Sequence, residues 1–78
     1  MKFQVTVMPR HEALDPQGRA VKGGLERLGF QVQDCRIGKT VIIEINEKDR
    51  NAGQSKVEEM AKKLLANPLI ETFEVKAL

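Results

Sequence analysis

The run Thr40-Val41-Ile42-Ile43-Glu44-Ile45 is the densest β-branched stretch of the 78-residue chain, and it leaves few options for what surrounds it. Val41, Ile43 and Ile45 fall on one face of a strand, and Thr40, Ile42 and Glu44 on the other, the period of two expected of a strand with one buried face. Ile42 on the wetter face implies that this side is covered as well, by a helix or by another chain. Ahead of the run, Gly38 can supply a positive φ, so Arg36 to Lys39 reads as a tight hairpin bend joining two antiparallel strands.

The remaining elements are placed around this strand. Phe3, Val5 and Val7 share one face of a first strand, which Pro9 ends by withholding a ladder donor. Asp15-Pro16 is a helix start, a capping carboxylate followed by a residue preset for the first helical position. The helix runs to about Leu28, with Val21, Leu25 and Leu28 as its inward stripe, and Gly29 stops it. Gly23 and Gly24 each cost that helix up to about 1 kcal/mol relative to Ala, which the close approach of another backbone would explain. Phe30 to Ile37 is read as a second strand with a bulge or strong twist near Asp34, because Val32 has the opposite parity to Cys35 and Ile37. After a charged loop, Asn46 to Gly53, with room for an early helical turn capped by Asp49, Ser55-Lys56-Val57-Glu58 fits a capping box. It opens a helix whose apolar face is Val57, Met60, Ala61, Leu64 and Leu65. Asn67-Pro68 ends it, and Leu69 to Val75 forms a last strand with Leu69, Phe73 and Val75 inward.

The expected fold is therefore α+β, one domain over residues 1–78 in the order β-α-β-β-α-β. Two helices cover one face of a four-stranded, mostly antiparallel sheet, in the ferredoxin-like manner. At this length roughly 60% of the unfolded surface can be buried, so a lone chain is marginal, and its two open sheet edges are natural places for self-association.

Composition narrows the function by exclusion. Thirteen basic and eleven acidic residues are interspersed, and there is no Trp, no Tyr and only three Phe, which argues against nucleic-acid binding. No apolar run is long enough to span a membrane, and no leader pattern precedes the first strand. A single cysteine fits a reducing compartment, so a cytoplasmic location is expected. His11 is the only histidine, and its neighbour Glu12 points away from it on an extended segment. Cys35 has no histidine at a predictable spacing and reads as a core or interface residue. No cluster has metal-ligand spacing. The glycines form neither phosphate-binding pattern, since Gly38-Lys39-Thr40 leads into a strand rather than a helix. The residues thus describe a domain that binds a partner and holds no active site.

Three segments resemble the PurS family, the small accessory subunits of phosphoribosylformylglycinamidine synthase. They are Leu14-Asp15-Pro16-Gln17-Gly18 with Ala20-Val21, Arg36-Ile37-Gly38-Lys39, and Leu64-Leu65-Ala66-Asn67-Pro68 with Ile70-Glu71. The chain departs from the family pattern at Met8 to Glu12, where Pro9 and His11 replace Lys and Gly, and at Asn51-Ala52-Gly53. The resemblance implies a non-catalytic subunit in de novo purine biosynthesis. It would be a homodimer or a dimer of dimers that bridges a glutaminase and a large synthetase subunit and assists ammonia transfer. ATP, Mg and glutamine would be used by those partners, with no cofactor bound here. Asp15, Arg19, Arg36, Lys39 and Asn67, polar residues in or beside the matching segments, are the expected partner contacts. The competing readings on the same fold are an ACT-like small-molecule sensor, an acyl phosphate hydrolase, which needs a glycine that Pro9 to Glu12 lacks, and an RNA binder.

Overall fold

The computed structural model describes residues 1–78. Its elements are β1 (Lys2–Pro9), α1 (Pro16–Arg27), β2 (Lys39–Glu44), α2 (Arg50–Met60) with a π-helical continuation at Ala61–Leu65, and β3 (Glu71–Ala77). The strands form one antiparallel sheet in the order β2-β1-β3. The N-terminal strand is therefore central, and the alternation read from the sequence sets its register. Phe3 lies opposite Ile43 and Ala77, Val5 opposite Val41 and Val75, and Val7 opposite Phe73. Phe3, Val5 and Val7 are completely or almost completely buried, and Val57, Ala61 and Ala66 close over them. Alternate residues of β1 and residues at helical spacing in α2 each make one apolar face, and the two faces meet.

The expected four-stranded sheet is not formed. The order is β-α-β-α-β, and the segment read as a strand from Phe30 to Ile37 pairs with nothing. Side chains take the amide groups that a ladder would need: Cys35 N–H donates to the Asp34 carboxylate (2.9 Å) and Ile37 N–H to that of Asp15 (2.9 Å). Such local side-chain acceptors compete directly with sheet pairing. The hairpin expected at Arg36 to Lys39 disappears with that strand. Gly38 is not in the left-handed region; the only positive φ belongs to Gly29, at 99°, where α1 stops. Gly38 instead stands where any Cβ would run into the Val7 carbonyl and the Met8 thioether.

Asp15 and Pro16 start α1 as read, with Gly18 N–H donating to the Asp15 carboxylate at 3.0 Å. The helix does not turn its stripe inward. Val21 is 42% and Leu28 74% exposed, and no α1 side chain belongs to the core or to the partly buried residues packed on it. No other backbone approaches Gly23 or Gly24; only the Arg27 guanidinium lies near them. With α1 held away from the sheet the molecule is long and thin, 49 × 24 × 14 Å, with a radius of gyration of 15.6 Å. A compact chain of this length would have about 11–12 Å.

The second helix begins earlier than the Ser55 capping box suggests. Asp49 is its cap, accepting from Ala52 N–H at 3.2 Å, and Ser55 to Glu58 lie within it. The early start puts Gly53 against the Phe3 ring, where a Cβ would come within 2.8 Å of the aromatic edge. At the far end the backbone widens, with Ala66 N–H donating to Ala61 O at 2.9 Å, five residues back. The wider turn advances the inward position by one residue. Ala66 is buried after Ala61, Leu65 is half-buried, and Leu64, expected inward, is 85% exposed. Leu69, also expected inward, is 84% exposed because β3 starts only at Glu71.

Candidate functional site

One end of the sheet gathers polar residues that lie far apart in sequence. The connection leaving β1 bends at Pro9 to His11, and the Arg36 guanidinium fills the bend. Nη2 donates to the carbonyls of Pro9 (3.0 Å) and Arg10, while Nη1 faces the His11 carbonyl (3.4 Å) and His11 Nδ1 (3.2 Å). Arg10 in turn reaches the turn after α2, its Nε and Nη2 both donating to Pro68 O at 3.2 and 3.0 Å. Its backbone N–H donates to Ile70 O at 2.8 Å.

Asp15 ties the start of α1 to the approach of β2, since one carboxylate oxygen accepts from Gly18 N–H and the other from Ile37 N–H. These two amide donors, with Arg36 nearby, hold the Asp15 carboxyl below its ordinary value, against a smaller opposing effect of desolvation. Gly18 is buried at this junction because a Cβ there would collide with the Cys35 carbonyl and the Asp15 carboxylate. Asn67 organises the last turn: its carbonyl accepts from Glu71 N–H (2.7 Å), its side chain from Leu69 N–H (3.1 Å), and its own N–H donates to the Glu71 carboxylate (2.6 Å).

The sequence-derived positions thus divide into two groups. Asp15, Arg36 and Asn67 spend their side chains on holding the corner together. Arg19 and Lys39 are exposed and neither is ion-paired; the two salt bridges lie elsewhere, Lys56–Glu47 (2.6 Å) and Lys63–Glu59 (2.7 Å). Arg10, which links the first connection to the last turn, was not among the residues singled out from sequence. Nothing in its local pattern marks it, because both of its acceptors are backbone carbonyls near the other end of the chain.

Open hollows of about 470 and 180 Å³ flank the bend, lined mostly by charged and polar residues including Arg10, His11, Asp34 and Arg36. Neither is the enclosed apolar cavity that a small-molecule substrate usually occupies. No group of three or more His, Cys, Asp or Glu side chains converges as metal ligands do, and no helix is long and apolar enough to cross a membrane. The corner is a scaffold of backbone carbonyls and amides with free cations at its rim, chemistry suited to docking.

Comparison with known proteins gives a consistent answer over almost the whole length. The family model PurS, described as phosphoribosylformylglycinamidine (FGAM) synthase, matches residues 2–78. The Bacillus subtilis phosphoribosylformylglycinamidine synthase subunit PurS is 42% identical over 73 residues, 92% of this chain and 86% of that protein. Among solved structures, the PurS subunit from Thermotoga maritima superposes with a TM-score of 0.90 at 31% identity, covering 99% of this chain and 90% of that one. A chain of the PurLQS structure from the same organism gives a TM-score of 0.89 at 31% identity, covering 99% and 95%.

Proposed function

The chain belongs to the PurS family, and from that premise we propose that it is the non-catalytic bridging subunit of a phosphoribosylformylglycinamidine synthase in purine biosynthesis. It joins a glutaminase subunit to a synthetase subunit and assists the passage of ammonia between them. The observation that carries this reading is the near-complete match, at both ends, to one chain of the PurLQS assembly. ATP, Mg and glutamine are handled by the partner subunits in the cytoplasm, and formylglycinamide ribonucleotide is converted to the amidine on the synthetase.

The chain works as a homodimer. Helix α1 and its flanks leave Leu14, Val21, Leu28 and Phe30 exposed outside the core, a set of apolar side chains that a second copy can cover. Partner subunits meet the corner around Asp15, Arg19, Arg36, Lys39 and Asn67. Arg19 and Lys39 make direct contact, and Asp15, Arg36 and Asn67 shape the surface.

The test is synthetase turnover with glutamine as nitrogen donor, measured with the glutaminase and synthetase subunits in the presence and absence of this chain, beside the same assay supplied with ammonium. Dependence on the chain with glutamine alone is the expected result. Equal rates with and without it under both conditions would overturn the reading.

A further inference from the structure

We propose that the bend at Pro9 to His11 is a pH-sensitive latch, closed when His11 is neutral and released when its imidazole takes a second proton. The inference stands on geometry that is independent of the subunit assignment. Arg36 has no lone pair to offer and remains protonated at any relevant pH, so at 3.2 Å its Nη1 can only donate to His11 Nδ1. Nδ1 must therefore carry the lone pair, which puts the single imidazole hydrogen on Nε2. A second proton lands on Nδ1 itself, where it removes the acceptor and sets a positive ring against the guanidinium.

The surroundings offer no compensation at bonding distance. The charged groups that face His11 across the two hollows are Arg10, Glu12, Asp15, Arg19, Asp34 and Arg36. None of the three carboxylates forms an ion pair with the ring, and Asp15 and Asp34 already accept backbone N–H groups. Imidazole is the side chain whose unperturbed charge change lies between pH 5 and 8. What is lost is one contact of several, because the same guanidinium also holds the carbonyls of Pro9, Arg10 and His11, and the adjoining Arg10 holds Pro68.

Two measurements on the full chain decide the matter. The first is the ¹⁵N spectrum of the His11 ring at pH 8, expected to show hydrogen on Nε2 and a bare Nδ1. The second compares thermal midpoints of the wild type and His11→Gln, whose amide oxygen accepts from Arg36 without titrating. The wild type should lose about 1–3 °C relative to the variant between pH 8 and pH 5, the size of one exposed polar contact in a small domain. Hydrogen on Nδ1 at pH 8, or midpoints that run parallel across this range, overturns the proposal.

Discussion

At the scale of single residues, Asp15 does three things with two oxygens: it caps α1, fixes Ile37, and diverts that amide from a sheet ladder. Because its carboxyl titrates below the ordinary 3.8, the folded state binds this proton less readily than the unfolded chain. Its stabilisation is then complete above about pH 4 and fades as the pH falls through the folded value. Asp15→Asn, which cannot ionise, should flatten that part of the acid limb in urea melts between pH 2 and 6. An unchanged limb would show that the amide bonds do not distinguish the two protonation states. Gly18→Ala presses a methyl group against the Cys35 carbonyl, a backbone atom that cannot rotate away. Overpacking of this kind costs about 1–3 kcal/mol, readable as a lower urea midpoint. Phe3→Ala, which empties the centre of the core, should cost about 3–5 kcal/mol and approach the whole stability of so small a domain.

At the scale of elements, the π turn separates two neighbouring apolar positions that a regular helix would treat alike. Leu64→Lys should leave the melting midpoint within about 0.5 kcal/mol of wild type, whereas Ala61→Leu should lose about 1–3 kcal/mol, since Ala61 is sealed against β1. The contrast also marks where sequence stops being informative. The alternation of Phe3, Val5 and Val7, the Asp15-Pro16 start and the Gly29 stop were all legible, because each depends on chemistry within a few residues. The widened turn was not, since one backbone bond displaced by a residue leaves no trace in apolar spacing. Nor was the failure of Phe30 to Ile37 to pair, because the competing acceptor for Ile37 sits 22 residues upstream. Of the corner, Asp15, Arg36 and Asn67 could be singled out as polar residues within recognisable segments. Arg10 could not, because its role is fixed only when the last turn arrives beside it.

At the scale of the molecule, only 8 of 78 residues are buried, and an entire helix contributes one of them, Gly18. A chain that thin leaves apolar side chains along and beside α1 for the proposed second copy to cover. Leu28→Glu combined with Phe30→Glu should shift the mass in light scattering from dimer to monomer while the signal of the sheet persists, since both side chains lie outside the core. A dimer that survives both charges would place the interface on another surface, such as the free edge of β2.

The strand order β2-β1-β3 carries a consequence for time as well as for space. β1 is made before either of its neighbours and is flanked on both sides only when β3 arrives: Phe3 waits for Ala77, and Val7 for Phe73. Until those residues have left the exit tunnel, β1 is a sticky ribbon with at most one neighbour. Its maturation is accordingly paced by a long-range closure rather than by local helix formation. Nascent chains halted before Glu71 should be the species that chaperones hold longest.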